Sequence, residues 1–284
     1  IPPQTLSIEI GYQEYDQVIW GQFAVPGVEG KLATGYSMRN GASYFAIQGQ
    51  VKQRYKDEVK ELAEEVRQYV KNCSVYKSKA IRLKTDQNGN LNFNDAPGFL
   101  DLSRVNEEEL TFSAEVEALV KTNLFAPIER TEECRRLGIP LKRGVLLEGK
   151  YGTGKTLTAY VTAKKAIANG WTFIYLDRVS ALKTAMAFAL QYGPAVIFAE
   201  DIDRAMDGER SVKVDDILNQ IDGVESKGKE LIVILTTNHV ENINEAMLRP
   251  GRLDAVIPVL PPDAKAAEKL VRLYSRGLIG KDED

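Results

Sequence analysis

Gly149-Lys150-Tyr151-Gly152-Thr153-Gly154-Lys155-Thr156 has the spacing G-x-x-x-x-G-K-T, and its neighbours decide how it is read. Ahead of it, Gly144-Val145-Leu146-Leu147-Glu148 is short and apolar enough for a buried strand. Behind it, Leu157 to Ala168 has the composition of a helix, stopped by Asn169-Gly170. A glycine-rich loop between a strand and a helix turns backbone N–H groups inward around phosphates, where the helix N-terminus adds partial positive charge. The spacing therefore predicts a triphosphate site on Gly149, Tyr151, Gly152, Thr153, Gly154, Lys155, Thr156 and Leu157. Lys155 reaches the β- and γ-phosphates, and the Thr156 hydroxyl holds Mg²⁺.

Outward from the loop the order is strand, helix, strand, helix, strand. Trp171–Leu176 reads as the second strand, Val179–Tyr192 as a helix and Ala195–Ala199 as a third, wholly apolar strand. That strand ends in Glu200-Asp201-Ile202-Asp203. Val214–Asp222 reads as a helix, and Leu231–Leu235 as a strand tipped by Thr236-Thr237-Asn238. Near-continuous apolar strands alternating with helices predict an α/β fold, a parallel sheet covered on both faces. Ligands then sit beyond the carboxyl ends of the strands, where each of these polar groups falls. Phosphoryl transfer to water needs a metal, a group to orient the water and positive charge for the transition state. One of Glu200 and Asp201 is expected to face the metal beside Thr156 and the other the water, and the Asn238 amide to contact the γ-phosphate or the water.

The rest of the chain has a different texture. Leu6, Ile8 and Ile10 alternate with polar neighbours, and Val18–Trp20, Lys31–Tyr36 and Ser43–Gln48 read as further strands. Val51, Tyr55, Val59, Leu62, Val66, Tyr69 and Val70 fall on one face of a helix. Lys79–Thr85 and Leu91–Phe93 flank Asn88-Gly89, a hairpin signal. Residues 1–110 are thus expected to form a β-rich recognition or scaffolding domain with one long helix, joined through Asp95–Asn106. Helices are expected from Ser113 toward Leu124 and over Glu129–Leu137, the second ended by Gly138-Ile139-Pro140.

The chain has 284 residues, 44% hydrophobic and 27% charged, enough to bury more than one core. A formal charge of −3 gives no net basic field, which disfavours nucleic acid as a partner. Two cysteines, far apart in sequence, argue against a disulfide framework and for a reducing, cytoplasmic setting. No apolar run is long enough to span a membrane.

Glu200-Asp201-Ile202-Asp203, Thr236-Thr237-Asn238 and Ala246-Met247-Leu248-Arg249-Pro250-Gly251-Arg252-Leu253-Asp254 together resemble the AAA ATPases of the AAA+ superfamily. The resemblance covers roughly residues 115–275. It implies ATP as ligand, Mg²⁺ as cofactor, hydrolysis to ADP and phosphate, and a homo-oligomeric ring, hexamer or heptamer, with nucleotide at each interface. It also implies that Asn238 is the sensor-1 residue, and that Arg249 and Arg252 are arginine fingers for the neighbour's γ-phosphate. Residues 111–262 would be the large ATPase subdomain and 263–284 the start of a helical lid, with one helix over Ala264–Leu273. Three features depart from the family pattern: the usual Asp-Glu pair runs Glu200-Asp201, so that by register with the family Glu200 takes the Mg²⁺ side and Asp201 the water; the Leu176–Pro194 segment lacks an aromatic pore loop; and most of the lid is missing. The reversed pair, the short segment and the Thr236–His239 run are similar to the branch of the mitochondrial Rieske iron–sulfur protein translocase, here as a soluble relative. The expected function is remodelling or translocation of a protein substrate. A nucleic-acid-dependent ATPase and a nucleotide-controlled assembly switch are the alternatives. The chain's one histidine, His239, is expected to be structural.

Overall fold

The fold was taken from a computed structural model that describes residues 4–39, 42–85, 91, 96–202, 221, 228–242 and 252–275. The chain opens with an antiparallel pair, β1 (Gln4–Gly11) and β2 (Glu14–Trp20). A three-stranded antiparallel sheet follows, from β3 (Gln22–Phe23), β4 (Gly30–Arg39) and β5 (Ala42–Val51). Helix α1 (Lys56–Cys73) then runs for 18 residues with Val59, Leu62 and Val66 half-buried. Its apolar stripe is shorter than the sequence pattern predicts. Val51 ends β5, while Tyr69 and Val70 lie 68% and 52% exposed.

The main body is a seven-stranded sheet. Its first two strands are β6 (Ala80–Leu83) and β7 (Gly98–Phe99). Helix α2 (Ala114–Val120), a π turn over Lys121–Phe125, and the short helices α3 (Ala126–Glu129) and α4 (Thr131–Leu137) come next. Gly138 ends α4 with φ +68°, a left-handed cap that suits glycine. Then follow β8 (Arg143–Glu148), α5 (Lys155–Ala168), β9 (Thr172–Leu176) and α6 (Leu182–Ala189). The remaining elements are β10 (Ala195–Ala199), β11 (Leu231–Thr237), β12 (Ala255–Pro258) and α7 (Ala264–Tyr274). Asp263 caps α7 by accepting a hydrogen bond from Ala266 N at 2.8 Å. The strand order is β12-β8-β11-β10-β9-β6-β7, parallel throughout except for β7.

Alternation along the strands explains the two-sided core. Val145 and Leu147 of β8 point to one face with Val196, Phe198, Ile232 and Ile234, under α2, α3 and α5. Leu146 points to the other with Ile197, Val233 and Leu235, under α6. All residues of β10 and β11 are buried, as a central parallel strand with both faces covered requires. Trp171, fully buried, donates its indole N–H to Thr131 Oγ1 at 2.8 Å and so ties the start of β9 to α4. Thr131→Val keeps the shape but strands that donor. The expected cost is about 1–3 kcal/mol of unfolding free energy, read from urea denaturation.

The expected division near residue 110 does not coincide with the edge of a sheet. Ala80-Ile81-Arg82-Leu83 pairs in parallel with β9, and Gly98–Phe99 pairs with β6. The physical reason is that this short stretch has apolar residues for both faces. Ile81 and Leu83 join the core beneath α6, and Ala80 the opposite one. Of the expected Asn88-Gly89 hairpin, Thr85 and Leu91 form an antiparallel bridge, and the tip lies outside the described residues. The expected helix over Val214–Asp222 also lies outside them apart from Ile221, which is helical.

Candidate nucleotide site

Parallel pairing brings the carboxyl ends of β8, β10 and β11 to one edge of the sheet: Glu148 is opposite Thr237, and Ala199 is opposite Leu235. The loop after β8 passes into α5 with Gly149, Gly152 and Gly154 at φ of +151°, +79° and +105°, conformations that L side chains rarely adopt. A Cβ on Gly149 would stand 2.2 Å from Val259 O, so this glycine is required by close approach as well as by φ. Gly149→Ala is therefore expected to displace the loop and weaken nucleotide binding by at least about 10-fold, measured by titration with a fluorescent ATP analogue.

Lys155, 8% exposed, donates to Gly149 O at 2.5 Å, to Lys150 O at 2.9 Å and to Asn238 Oδ1 at 2.9 Å. Its ammonium also lies 5.9 Å from the centre of the Tyr151 ring, which is 76% exposed. Thr153 Oγ1 donates to Lys150 O at 2.9 Å, closing the loop on itself. Leu157 packs half-buried against the core beneath α5. Thr156 Oγ1 donates to Glu200 Oε1 at 2.6 Å, and Tyr175 OH donates to Glu200 Oε2 at 2.7 Å. Burial is the main cause, and the Glu200 carboxylate the second, that raises the Tyr175 pKa well above the ordinary phenol value. Tyr175 thus stays a protonated donor at neutral pH.

Asp201 follows in a left-handed conformation, φ +48°, tolerated by aspartate but uncommon outside glycine. Its N–H donates to Thr236 Oγ1 at 2.9 Å, and its Oδ1 accepts from Asn238 Nδ2 at 3.1 Å. The kink turns two successive carboxylates apart: Glu200 toward Thr156, Asp201 toward Asn238. His239 faces away, with Nδ1 3.0 Å from Glu241 Oε1 on an exposed turn. Asp203 and Arg249 lie outside the described residues.

Arg252 is at the opposite end of the sheet. Asp254 N donates to Gly144 O at 2.7 Å, and Gly144 N donates to Asp254 Oδ2 at 2.8 Å. A Cβ on Gly144 would meet Arg252 O at 1.8 Å. The length of β8 therefore separates Arg252 from the loop of its own chain, roughly 16 Å at about 3.3 Å per residue, farther than an arginine side chain reaches.

Sequence reasoning missed three side chains here. Tyr175 was legible only as one residue of an apolar strand; its signal is a polar-tipped aromatic one place before the strand's carboxyl end. Arg82 lies with its guanidinium carbon 4.5 Å from the centre of the Tyr175 ring, and carried no signal because its strand was expected elsewhere. Phe112 lies 3.7 Å from the Cβ position of Gly154 and lines a cavity of about 530 Å³ between Leu110–Ala114 and α7.

The donors fit the groups expected. Thr156 and Glu200 are hard oxygen ligands in contact with each other, and Mg²⁺ characteristically takes one or two such protein ligands with phosphate and water. At Gly152 a Cβ would meet nothing within 4 Å, so the loop's concavity stays open there.

A strand–loop–helix of this geometry on a parallel sheet, with acidic and amide groups at the tips of the neighbouring strands, defines a P-loop nucleoside triphosphatase fold. Residues 145–260 match the family described as ATPase family associated with various cellular activities (AAA). The chain is 32% identical over 178 residues to a 26S proteasome regulatory subunit 8 homolog of Schizosaccharomyces pombe, covering 56% of this chain and 44% of that protein. It is 37% identical over 162 residues to the ATP-dependent zinc metalloprotease FtsH 2 of Sphaerobacter thermophilus, covering 51% and 25%. With the ATPase family gene 2 protein of Saccharomyces cerevisiae the identity is 31% over 192 residues, covering 61% and 24%. The chain spans less than half the length of these relatives. Among the described residues no helix is long and apolar enough to cross a membrane.

Proposed function

We propose that the chain hydrolyses ATP at a site completed by a second copy of itself, and that a ring of such copies, hexamer or heptamer, uses the cycle to remodel or move a protein substrate. The observation that carries this is the split of the machinery between the two ends of β8. Lys155, Thr156, Glu200, Asp201 and Asn238 converge beyond its carboxyl end, whereas the Arg252 segment is docked at its amino end. An arginine so placed serves the triphosphate of a neighbour. In that reading Lys155 and the loop N–H groups bind the β- and γ-phosphates. Thr156 and Glu200 hold Mg²⁺, which neutralises phosphate charge when bound. Asp201 orients the attacking water and takes its proton as the bond from the water oxygen to the γ-phosphorus forms and the bond to ADP breaks. Asn238, already bonded to both Lys155 and Asp201, reports the γ-phosphate. Arg249 and Arg252 stabilise the transferring phosphoryl group in trans. The adenosine is assigned to the cavity beside Phe112.

A protein substrate is supported by the names of the relatives, among them a proteasome regulatory subunit and a metalloprotease. The finer placement beside the Rieske iron–sulfur protein translocase, as a soluble relative, rests on the Glu200-Asp201 order, the Thr236–His239 run and the 177–194 segment. None of the relatives described above carries that name. The segment holds a 3₁₀ turn at Val179–Ala181 and α6, with no aromatic before Phe188. The β-rich region is accordingly proposed as the substrate-facing part. A reducing, cytoplasmic setting accords with two free cysteines, Cys73 exposed and Cys134 buried. Phosphate release from ATP with Mg²⁺, and its abolition by EDTA, is the test. Turnover that persists in EDTA, or none with Mg²⁺ present, would sink the proposal.

A further inference from the structure

We propose that Arg82 and Tyr175 position the Glu200 carboxylate for Mg²⁺, so that a strand outside the AAA family match sets the metal affinity of the nucleotide site. This rests on the nucleotide-site reading above. Glu200 presents two oxygens: Oε1 accepts from Thr156 and Oε2 from the Tyr175 phenol. With Oε2 pinned, rotation about the carboxylate is stopped and Oε1 stays beside the Thr156 hydroxyl, its partner as a metal ligand.

The phenol is itself held. Its ring stacks with Tyr160 at 6.4 Å and meets Phe198 edge-on at 5.5 Å. Arg82 is the register partner of Tyr175 on the neighbouring strand, so both side chains leave the sheet on the same face. The guanidinium lies against the ring, and its Nε is 3.5 Å from Asp177 Oδ1. That Nε is the buried side-chain polar atom without a hydrogen-bond partner among the described residues. An arginine held in this way by cation–π attraction and a loose ion pair, rather than by fitted hydrogen bonds, serves the ring it covers. Groups that orient a metal ligand without touching the metal govern metal affinity, and their loss characteristically costs about 10–100-fold. Arg82 and Tyr175 are thus positioning residues, and β6, from the region ahead of the family match, reaches the chemistry through them.

The test is binding of a fluorescent ATP analogue to the full chain, titrated with Mg²⁺ and repeated in EDTA. Tyr175→Phe keeps the ring and its stacking and removes only the hydroxyl. It is expected to raise the Mg²⁺ concentration for half-maximal binding by about 10-fold or more, with EDTA affinity unchanged. Arg82→Ala is expected to shift it roughly threefold, and Arg82→Lys, which retains a cation over the ring, by less. Should Tyr175→Phe not fold, the arginine pair decides the matter by the same ordering. A Mg²⁺ dependence within about twofold of wild type in Tyr175→Phe, or an equal loss with and without Mg²⁺, would overturn the inference alone. A wild-type chain whose binding ignores Mg²⁺ would overturn the underlying site reading with it.

Discussion

Arg252→Ala is expected to lower turnover by roughly 10³–10⁵-fold, the range over which an arginine donated to a phosphoryl transition state acts. Affinity for the ATP analogue in the isolated chain should stay near wild type. The two halves of that result follow from one geometric fact. The Arg252 segment is fastened to Gly144 through Asp254, at the far end of β8 from the loop, so it has no part in how a chain holds its own nucleotide. Single-turnover kinetics on the assembled protein, beside equilibrium binding on the dilute chain, separates the two. A parallel loss of binding in the isolated chain would mean that Arg252 serves its own site.

Asp201→Asn is the second large effect, a fall in the catalytic rate of roughly 10²–10⁴-fold, as for removal of a positioned general base. The substitution is isosteric, and an amide oxygen can still accept from Asn238 Nδ2, so the bond at 3.1 Å survives and the turn after β10 is kept. What is lost is the charge and the basicity. Nucleotide and Mg²⁺ affinities should therefore hold, and the variant should accumulate bound ATP. Glu200→Gln makes the informative contrast: with Thr156 as its neighbour it should weaken Mg²⁺ dependence first. Exchange of these two signatures would reverse the division of labour within the acidic pair.

The phosphate loop and its flanking strands were legible because their information is local. Val145-Leu146-Leu147 can only be a buried strand ahead of a glycine-rich turn, and Ala195–Ala199 emerged with the bounds expected from its apolar run. Asn238 and the two carboxylates were legible because they sit at strand ends, where order along the chain predicts proximity in a parallel sheet. Tyr175 and Arg82 were not. Their contact depends on β6 pairing with β9 across more than ninety residues of chain, and a four-residue strand carries too little pattern to declare that partner. The same shortness hid that Ala80–Leu83 and Gly98–Phe99, ahead of the expected boundary at residue 110, pair within the large sheet. Tyr69 and Val70 erred in the other direction: their helical spacing was right, but both side chains lie exposed near the end of α1. Periodicity states which face is apolar and leaves open how far the neighbour extends.

The central claim is a site shared between two copies, and mixing two disabled variants tests it most directly. Arg252→Ala retains Asp201, and Asp201→Asn retains Arg252, so each alone has no complete site. In a randomly mixed ring with head-to-tail contacts, about one interface in four pairs an intact Asp201 with an intact Arg252. Phosphate release from an equimolar mixture, disassembled and reassembled together, is predicted to recover to about a quarter of the wild-type rate. A mixture no more active than the two variants measured apart would contradict the account.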